Sequence, residues 1–141
     1  MAITRTATQV TWSAASTLSV TSATEVVSDV FTIDATCVGM AIQVSADNSG
    51  TPATGDTAVW RIRWSTGDVL ADSGDDYDTA EHAQYIGTLD TVAANTPGED
   101  PARRTFDVPP TATKFKLTCI CAQAASRNIT IAARVEEIRA A

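Results

Sequence analysis

The sequence contains few of the residues on which catalysis usually depends. Histidine occurs once in 141 residues, at His82, so a histidine-based metal cluster is excluded and a Ser-His-Asp triad would have to use that residue. No serine lies in a GxSxG motif, and neither GxxxxGK[ST] nor GxGxxG occurs. Because His82 lies among acidic residues, we expect a solvated loop histidine. The sequence predicts that the chain is not an enzyme and needs no cofactor.

Basic residues are also scarce. Ten Lys and Arg oppose seventeen Asp and Glu, which gives a net charge of -7, and no basic residue lies between Arg5 and Arg61 or between Arg63 and Arg103. Binding to nucleic acid through phosphates needs a basic face, so nucleic acid is not an expected partner. No apolar run approaches the ~18 residues of a membrane helix, and no secretory signal opens the sequence. We therefore expect synthesis in the cytoplasm and no membrane partner.

The three cysteines do not form the pattern of a metal site. Cys119 and Cys121 are separated by one residue within an apolar alternating run, so on a strand they point to the same face. This CxC motif lacks the second ligand pair of a zinc site. We expect buried free thiols, and the alternative is a disulfide from Cys37 to one of the other two.

Alternating apolar and polar residues are abundant, with Thr and Val frequent among them, and they predict β-strands rather than helices. Segments 46–56 and 109–110 contain the Gly, Pro, Asn and Asp of turns. Short strands between turn signals are typical of an antiparallel β-sandwich or barrel. The expected fold is all-β, with about eight strands in one domain spanning 1–141, a possible N-terminal arm at 1–7 and one long acidic loop at 68–104. The predicted strands are 8–13, 17–21, 25–33, 37–45, 60–64, 105–108, 114–122 and 129–135.

The central segment WRIRW allows two interpretations. On a strand, Trp60, Ile62 and Trp64 share one face, and Arg61 and Arg63 share the other. The tryptophans either form the core or present a platform on which sugar rings stack. The chain has only three Trp, two Tyr and three Phe, so exposing two of them would leave the core poor in large side chains. Burial of the tryptophans is therefore favoured, with both arginines pointing outward.

The predicted loop 68–104 contains nine carboxylates. It is either a solvated, self-repelling loop or a contact surface for a basic partner or a cation. The densest group is a weak candidate for calcium, because its spacing lacks the glycine and the closing glutamate of an EF-hand. Its members are Asp72, Asp75, Asp76 and Asp78. Arg103 and Arg104 end the segment and either pair with its carboxylates or present donors to a neighbouring chain.

Three segments carry a family resemblance: the opening MAITRTATQVTWSAASTLSVTS, the loop 68–104 and FDVPPTATKFKLTCICA. Together with the acidic, helix-poor and Thr/Ser/Ala-rich composition, they make the chain resemble the cement or decoration proteins of tailed bacteriophage capsids. The resemblance implies a β-sandwich or jelly roll that forms dimers or trimers. It also implies binding outside the capsid, where the protein clamps neighbouring major capsid subunits. No residue role can be carried over, because no diagnostic motif is present.

The resulting expectation is a structural virion protein on the capsid exterior. Its expected partners are the major capsid protein lattice and itself, as a homodimer or, alternatively, a homotrimer. Segments 1–7 and 68–104 are predicted to make the contacts. The candidate contact residues are Arg5, Arg61, Arg63, Arg103 and Arg104.

Two other functions remain open at this point. A carbohydrate-binding or receptor-binding β-sandwich module predicts that Trp60 and Trp64 are exposed to solvent. Another structural subunit of a phage head or tail predicts rings or tubes instead of dimers or trimers.

Overall fold

The structure is a computed structural model that describes residues 2–49, 52–65, 83–91 and 102–140. These residues form strands that pair only in antiparallel fashion, so the predicted all-β sandwich is confirmed. The strands are β1 (Ile3–Gln9), β2 (Leu18–Val20), β3 (Glu25–Val27), β4 (Phe31–Thr32), β5 (Cys37–Asn48), β6 (Thr57–Ser65), β7 (Ala83–Asp90), β8 (Ala102–Asp107), β9 (Lys114–Ala122) and β10 (Ile129–Ala140).

The strands form two sheets of four positions each. In the first, which we call sheet 1, the order is β1-β10-β5-β8, and β2 also pairs with β10. In the second, sheet 2, the order is β3-β9-β6-β7, and β4 also pairs with β9. Because β1 and β2 share one position, and β3 and β4 share another, the ten segments occupy eight positions, which equals the predicted number of about eight strands although not every strand lies where it was predicted.

The core lies between the sheets and contains one face of every long strand. Along β5 the buried side chains are Met40, Ile42 and Val44, which alternate with more accessible residues, as the sequence pattern predicted. The pattern also placed Val38 on this face, but Val38 is 62% exposed, because it lies at the end of the strand, before the first buried residue, Met40.

Trp60 lies at the centre of this core. Trp60 is 0% exposed, and its ring packs edge to face against the ring of Trp12, with the ring centroids 6.3 Å apart. Trp64 is half-buried: its ring lies 5.5 Å from that of Phe115, and its indole N–H donates to Gln84 Oε1 at 3.0 Å. The prediction of a core role is therefore confirmed for Trp60, and Trp64 lies at the margin of the core.

All three cysteines are free. Cys119 and Cys121 are buried on one face of β9 with their Sγ atoms 3.8 Å apart, as the alternation predicted. The hydrogen-bond contact with the Cys121 thiol is the main cause that raises the pKa of Cys119, and burial raises it further. Cys37 is half-buried and does not bridge to either of them.

Three predicted segments differ from the structure, and the simplest case is the predicted strand 25–33, which is divided into β3 and β4. The first strand is Ile3–Gln9 instead of 8–13, so residues 3–7 pair with β10 and do not form a free arm. The sequence did not indicate this strand because both of its faces are largely exposed and lack apolar alternation. The predicted loop 68–104 contains β7 and the start of β8, whose apolar residues are few and widely spaced.

At Gly87 of β7, a side chain from sheet 1 lies directly against the backbone of sheet 2. A methyl group at this position would overlap the ring of Phe106, which crosses from β8 in the other sheet. We expect Gly87→Ala to lower the free energy of unfolding by about 2 kcal/mol, because overpacking forces side chains or backbone to move. Urea denaturation measures this loss. In a Phe106→Ala background the same substitution should cost much less, and an equal cost in both backgrounds would contradict the contact.

Candidate interaction surface

The outer face of sheet 1 is a regular surface formed by four neighbouring strands. The antiparallel register aligns side chains from its strands in rows, such as Gln9, Arg134, Gln43 and Thr105. The residues between them, such as Ile42, point into the core. We call this surface face 1; its residues are Ile3, Arg5, Ala7, Gln9, Gly39, Ala41, Gln43, Ser45, Asp47, Arg103, Thr105, Asp107, Thr130, Ala132, Arg134, Glu136 and Ile138.

Face 1 is shallow and contains no aromatic side chain among the residues just named. Two adjoining depressions of about 250 Å³ and 180 Å³ share Gln43 and Arg134. Ala41 and Ala132 leave room in them because their side chains are small. Ligand sites for small molecules are usually deeper clefts of ~300–1,000 Å³ with apolar or aromatic walls. The shape of face 1 therefore suits another macromolecule better than a small ligand.

The charges on face 1 are balanced, although the whole chain carries -7. Face 1 carries three arginines and three carboxylates, which are Arg5, Arg103 and Arg134 and Asp47, Asp107 and Glu136. Arg5 donates to Glu136 Oε1 at 2.6 Å, and both side chains are well exposed. A mixed surface of this kind lets a second protein approach without the repulsion that a net negative chain imposes elsewhere.

The candidate arginines lie in different places. Arg5 and Arg103 are on face 1, on the two outermost strands of sheet 1. Arg104 lies at the edge between β7 and β8, with its guanidinium carbon 5.2 Å from the centre of the Phe106 ring. Arg61 lies on the outer face of sheet 2, in register with Tyr85. The contact role predicted for these four residues stays a prediction.

The prediction that Arg61 and Arg63 both point outward to a surface is wrong for Arg63, which is buried. It occupies the same outer face of sheet 2 as Arg61, but its side chain is only 7% exposed and forms an ion pair with Glu25 of β3. The alternation of the sequence placed Arg63 on the correct face. It could not show that a carboxylate from another strand holds the guanidinium against the sheet, because that pairing is not local.

Buried ion pairs fix both ends of the sandwich, and the sequence reasoning missed them. Glu137 is 1% exposed and accepts hydrogen bonds at 2.8 Å from the Asp34 N–H and from Arg139. Its position did carry a signal, since Glu137 continues the inward phase of Ile131, Ala133 and Val135 on β10.

At the other end, Asp56 accepts two hydrogen bonds from Arg127, at 2.7 Å and 2.8 Å. Asn48 Nδ2 and the Ala53 N–H also donate to Asp56 Oδ2, each at 3.0 Å. Asp56 is only 3% exposed, and the hydrogen bonds from Arg127 are the main cause that lowers its pKa. The cluster joins the β5–β6 turn to the β9–β10 turn.

The calcium candidates Asp72, Asp75, Asp76 and Asp78 lie outside the described residues, as does His82. Within residues 2–49, 52–65, 83–91 and 102–140, no group of three or more His, Cys, Asp or Glu side chains is placed to hold a metal ion. The same part of the chain has no helix with the length and hydropathy that a membrane crossing requires.

Comparison with known proteins identifies the fold. No family model and no curated protein matches the sequence. Thirty chains of solved structures match the fold, among them the crystal structure of the infectious bursal disease virus VP2 subviral particle, with a TM-score of 0.50 and 13% sequence identity. The match covers 97% of this chain and 33% of the VP2 chain, so this chain spans about a third of that protein's length.

The fold is a jelly roll. The strands occupy eight positions in two antiparallel sheets, and the chain crosses repeatedly from one sheet to the other. This is the arrangement of the jelly rolls found in viral capsid and lectin domains. At this sequence identity the likeness concerns the fold alone. Within the jelly roll, face 1 is the outer surface of the sheet that contains both β1 and β10.

Proposed function

We propose that the chain is a structural protein of a virus particle: it binds the outside of a tailed bacteriophage capsid and bridges neighbouring major capsid subunits through face 1. The observation that carries the proposal is the geometry of this face. Sheet 1 brings Arg5, from the predicted contact segment 1–7, and Arg103, from the segment 68–104, onto one surface. Three strand spacings separate their strands, roughly 14 Å.

The chemistry of face 1 supports adhesion to a protein lattice. Its balanced charges and small side chains fit the polar, complementary surfaces of protein partners, whereas a nucleic acid would need a basic face. The VP2 subviral particle is an example of this fold in a virus particle, which supports the proposal. Each contact on a lattice can be weak, because repeated contacts raise the effective concentration of the next one.

A sugar-binding module fits the described residues less well. The platform that it requires would use Trp60, which is completely buried, and face 1 has no aromatic side chain on which a sugar ring could stack. Tyr85 is the exposed aromatic residue on sheet 2, and its hydroxyl is hydrogen-bonded to Thr88. We therefore rank adhesion above carbohydrate recognition.

Charge reversal at the centre of face 1 tests the proposal. Arg134→Glu should weaken binding to capsids purified without this protein at least tenfold, because Arg134 lines both depressions and would oppose the partner's charge. The matched control is Arg61→Glu, the same change on the outer face of sheet 2, because the proposal assigns the contact to face 1 and gives up the contact role first predicted for Arg61. Co-sedimentation with capsids measures both.

The outcomes separate the alternatives. Saturable binding at a fixed ratio to capsid subunits, lost in Arg134→Glu and kept in Arg61→Glu, supports the proposal. Equal binding by both variants, or no binding at all, overturns it. Rings or tubes of the purified protein in electron micrographs would indicate a different head or tail subunit, and micromolar binding to a glycan array would indicate a receptor-binding module.

A further inference from the structure

The edge strand β1 is the least protected element of the described sheets. Six of its seven residues are exposed, including Ile3 at 67%, and among the strands that the structure describes it pairs with β10 alone. Natural proteins usually shield such edges with proline, lysine, a bulge or a covering segment. β1 contains neither proline nor lysine, and its register with β10 runs without a shift from Ile3 to Gln9. Its only charged residue is Arg5.

The hydrogen-bond ladder determines which backbone groups of β1 are available. The Val10 N–H donates to the Ala133 carbonyl at 2.9 Å, just beyond the end of β1. In an antiparallel ladder such bonded pairs recur every second residue, so Thr8, Thr6 and Thr4 exchange their bonds with β10. The N–H and C=O groups of the intervening residues point away from the sheet. These residues are Ile3, Arg5, Ala7 and Gln9.

We propose that β1 pairs antiparallel with β1 of a second copy of this chain, centred on Thr6, and so joins two copies of sheet 1 into one continuous sheet. In this register Ile3 faces the partner's Gln9 and Arg5 faces the partner's Ala7. All four outward-facing residues then find backbone partners. The proposal does not depend on the proposed function.

The side chains favour this register over its neighbours. Centring the pair on Arg5 would place two arginines directly opposite each other, which is unfavourable. Centring it on Ala7 would leave Ile3 without a partner. Centring it on Thr6 puts threonines opposite threonines in the closely spaced, non-hydrogen-bonded pairs, where cross-strand Thr contacts are favourable. One register therefore satisfies both the backbone and the side chains.

Charge complementarity adds a second argument for a copy of this chain as the occupant. Glu136 lies beside Ala7 in a row of face 1. In the proposed register the partner's Arg5 continues that row beyond Ala7, whose methyl group leaves the space open. Arg5 already reaches Glu136 within one copy, at 2.6 Å. The two arginines and two glutamates would then form one network across the two-fold axis.

The geometry of the pair also determines how the two copies of face 1 are oriented. Residues that face each other across the two copies come from the same side of sheet 1, so the two-fold axis runs perpendicular to the sheet. Both copies of face 1 would point in the same direction. A partner lattice would then meet a surface of twice the area, and the second contact would be intramolecular.

Cysteine cross-linking tests the register. In a Cys37→Ser background, Thr6→Cys should form a disulfide-linked dimer on mild oxidation, because directly opposed non-hydrogen-bonded residues have Cα atoms ~4.5 Å apart, within disulfide range. The matched control is Thr4→Cys on the same face of the same strand, whose two copies would lie roughly 13 Å apart. Equal cross-linking of the two variants would overturn the register.

Sedimentation of the full chain tests the pairing itself. The unmodified chain should be a dimer, and Ala7→Pro should weaken association at least tenfold while circular dichroism stays unchanged. Proline removes an N–H that points away from β10, which edge strands tolerate. A monomer at every concentration, or a dimer unaffected by Ala7→Pro, contradicts the proposal.

Discussion

Trp60→Ala should lower the free energy of unfolding by about 4 kcal/mol, the largest effect we expect from any single substitution in the core. The side chain is fully buried and lies between Gly87 on β7 and Cys119 on β9 in the register of sheet 2, and its ring contacts Trp12. Removing it leaves a cavity that strands on both sides prevent from collapsing. Since a domain of this size is stable by ~5–15 kcal/mol, much of the variant should unfold in moderate urea.

Two further variants show whether burial is the cause. Trp60→Phe keeps most of the ring volume and removes an indole N–H for which the described residues supply no hydrogen-bond partner, so its cost should be only about 1 kcal/mol. Trp64→Ala should cost clearly less than Trp60→Ala, because Trp64 is only half-buried. Urea denaturation followed by circular dichroism ranks the three. A Trp60→Ala variant as stable as the unmodified chain would contradict the packing.

Asp56→Asn should lower the free energy of unfolding by about 3 kcal/mol. The substitution removes the charge that holds Arg127, and truncating one partner of a buried pair costs ~3–5 kcal/mol. We expect the lower end because the Arg127 side chain is 19% exposed and can be hydrated when it loses its partner. Asp47→Asn is the matched control, since Asp47 lies on the exposed face of β5.

The same cluster predicts how stability changes with pH. The pKa of Asp56 is lowered on folding, so the unfolded chain takes up a proton before the folded chain as pH falls. The stabilisation is complete above the unfolded pKa, near ~4, and is lost as pH falls through the lower folded value. Unfolding free energies measured between pH 7 and pH 3 should therefore fall less in Asp56→Asn than in the unmodified chain. An identical pH profile for both proteins would contradict the role of this pair.

The local pattern of the sequence predicted much of the fold. Strand β9 could be predicted at its observed bounds, because Phe115, Leu117, Cys119 and Cys121 alternate with more polar residues and turn signals lie on both sides. The same alternation placed Trp60 and Ile62 in the core. Strand β1 was misplaced because its residues pair with β10 without burying a face. Its existence depends on a partner more than 120 residues away in the sequence.

The candidate surface could be predicted only in part. Alternation shows that Arg134 points outward on β10, opposite to Ile131 and Val135. It cannot show that Arg134 and Gln43 lie side by side, since that depends on the register between β10 and β5. Long-range contacts also determine that Arg63 forms an ion pair with Glu25. Face 1 is therefore a property of strand order, which periodicity alone does not specify.

Imaging the virus particle by cryo-electron microscopy tests the central claim most directly. We predict density for the jelly roll outside the capsid shell, over the junctions between major capsid subunits, with face 1 directed towards the shell. Density within the tail or in the continuous shell itself would contradict this account, and so would an orientation in which face 1 points to solvent.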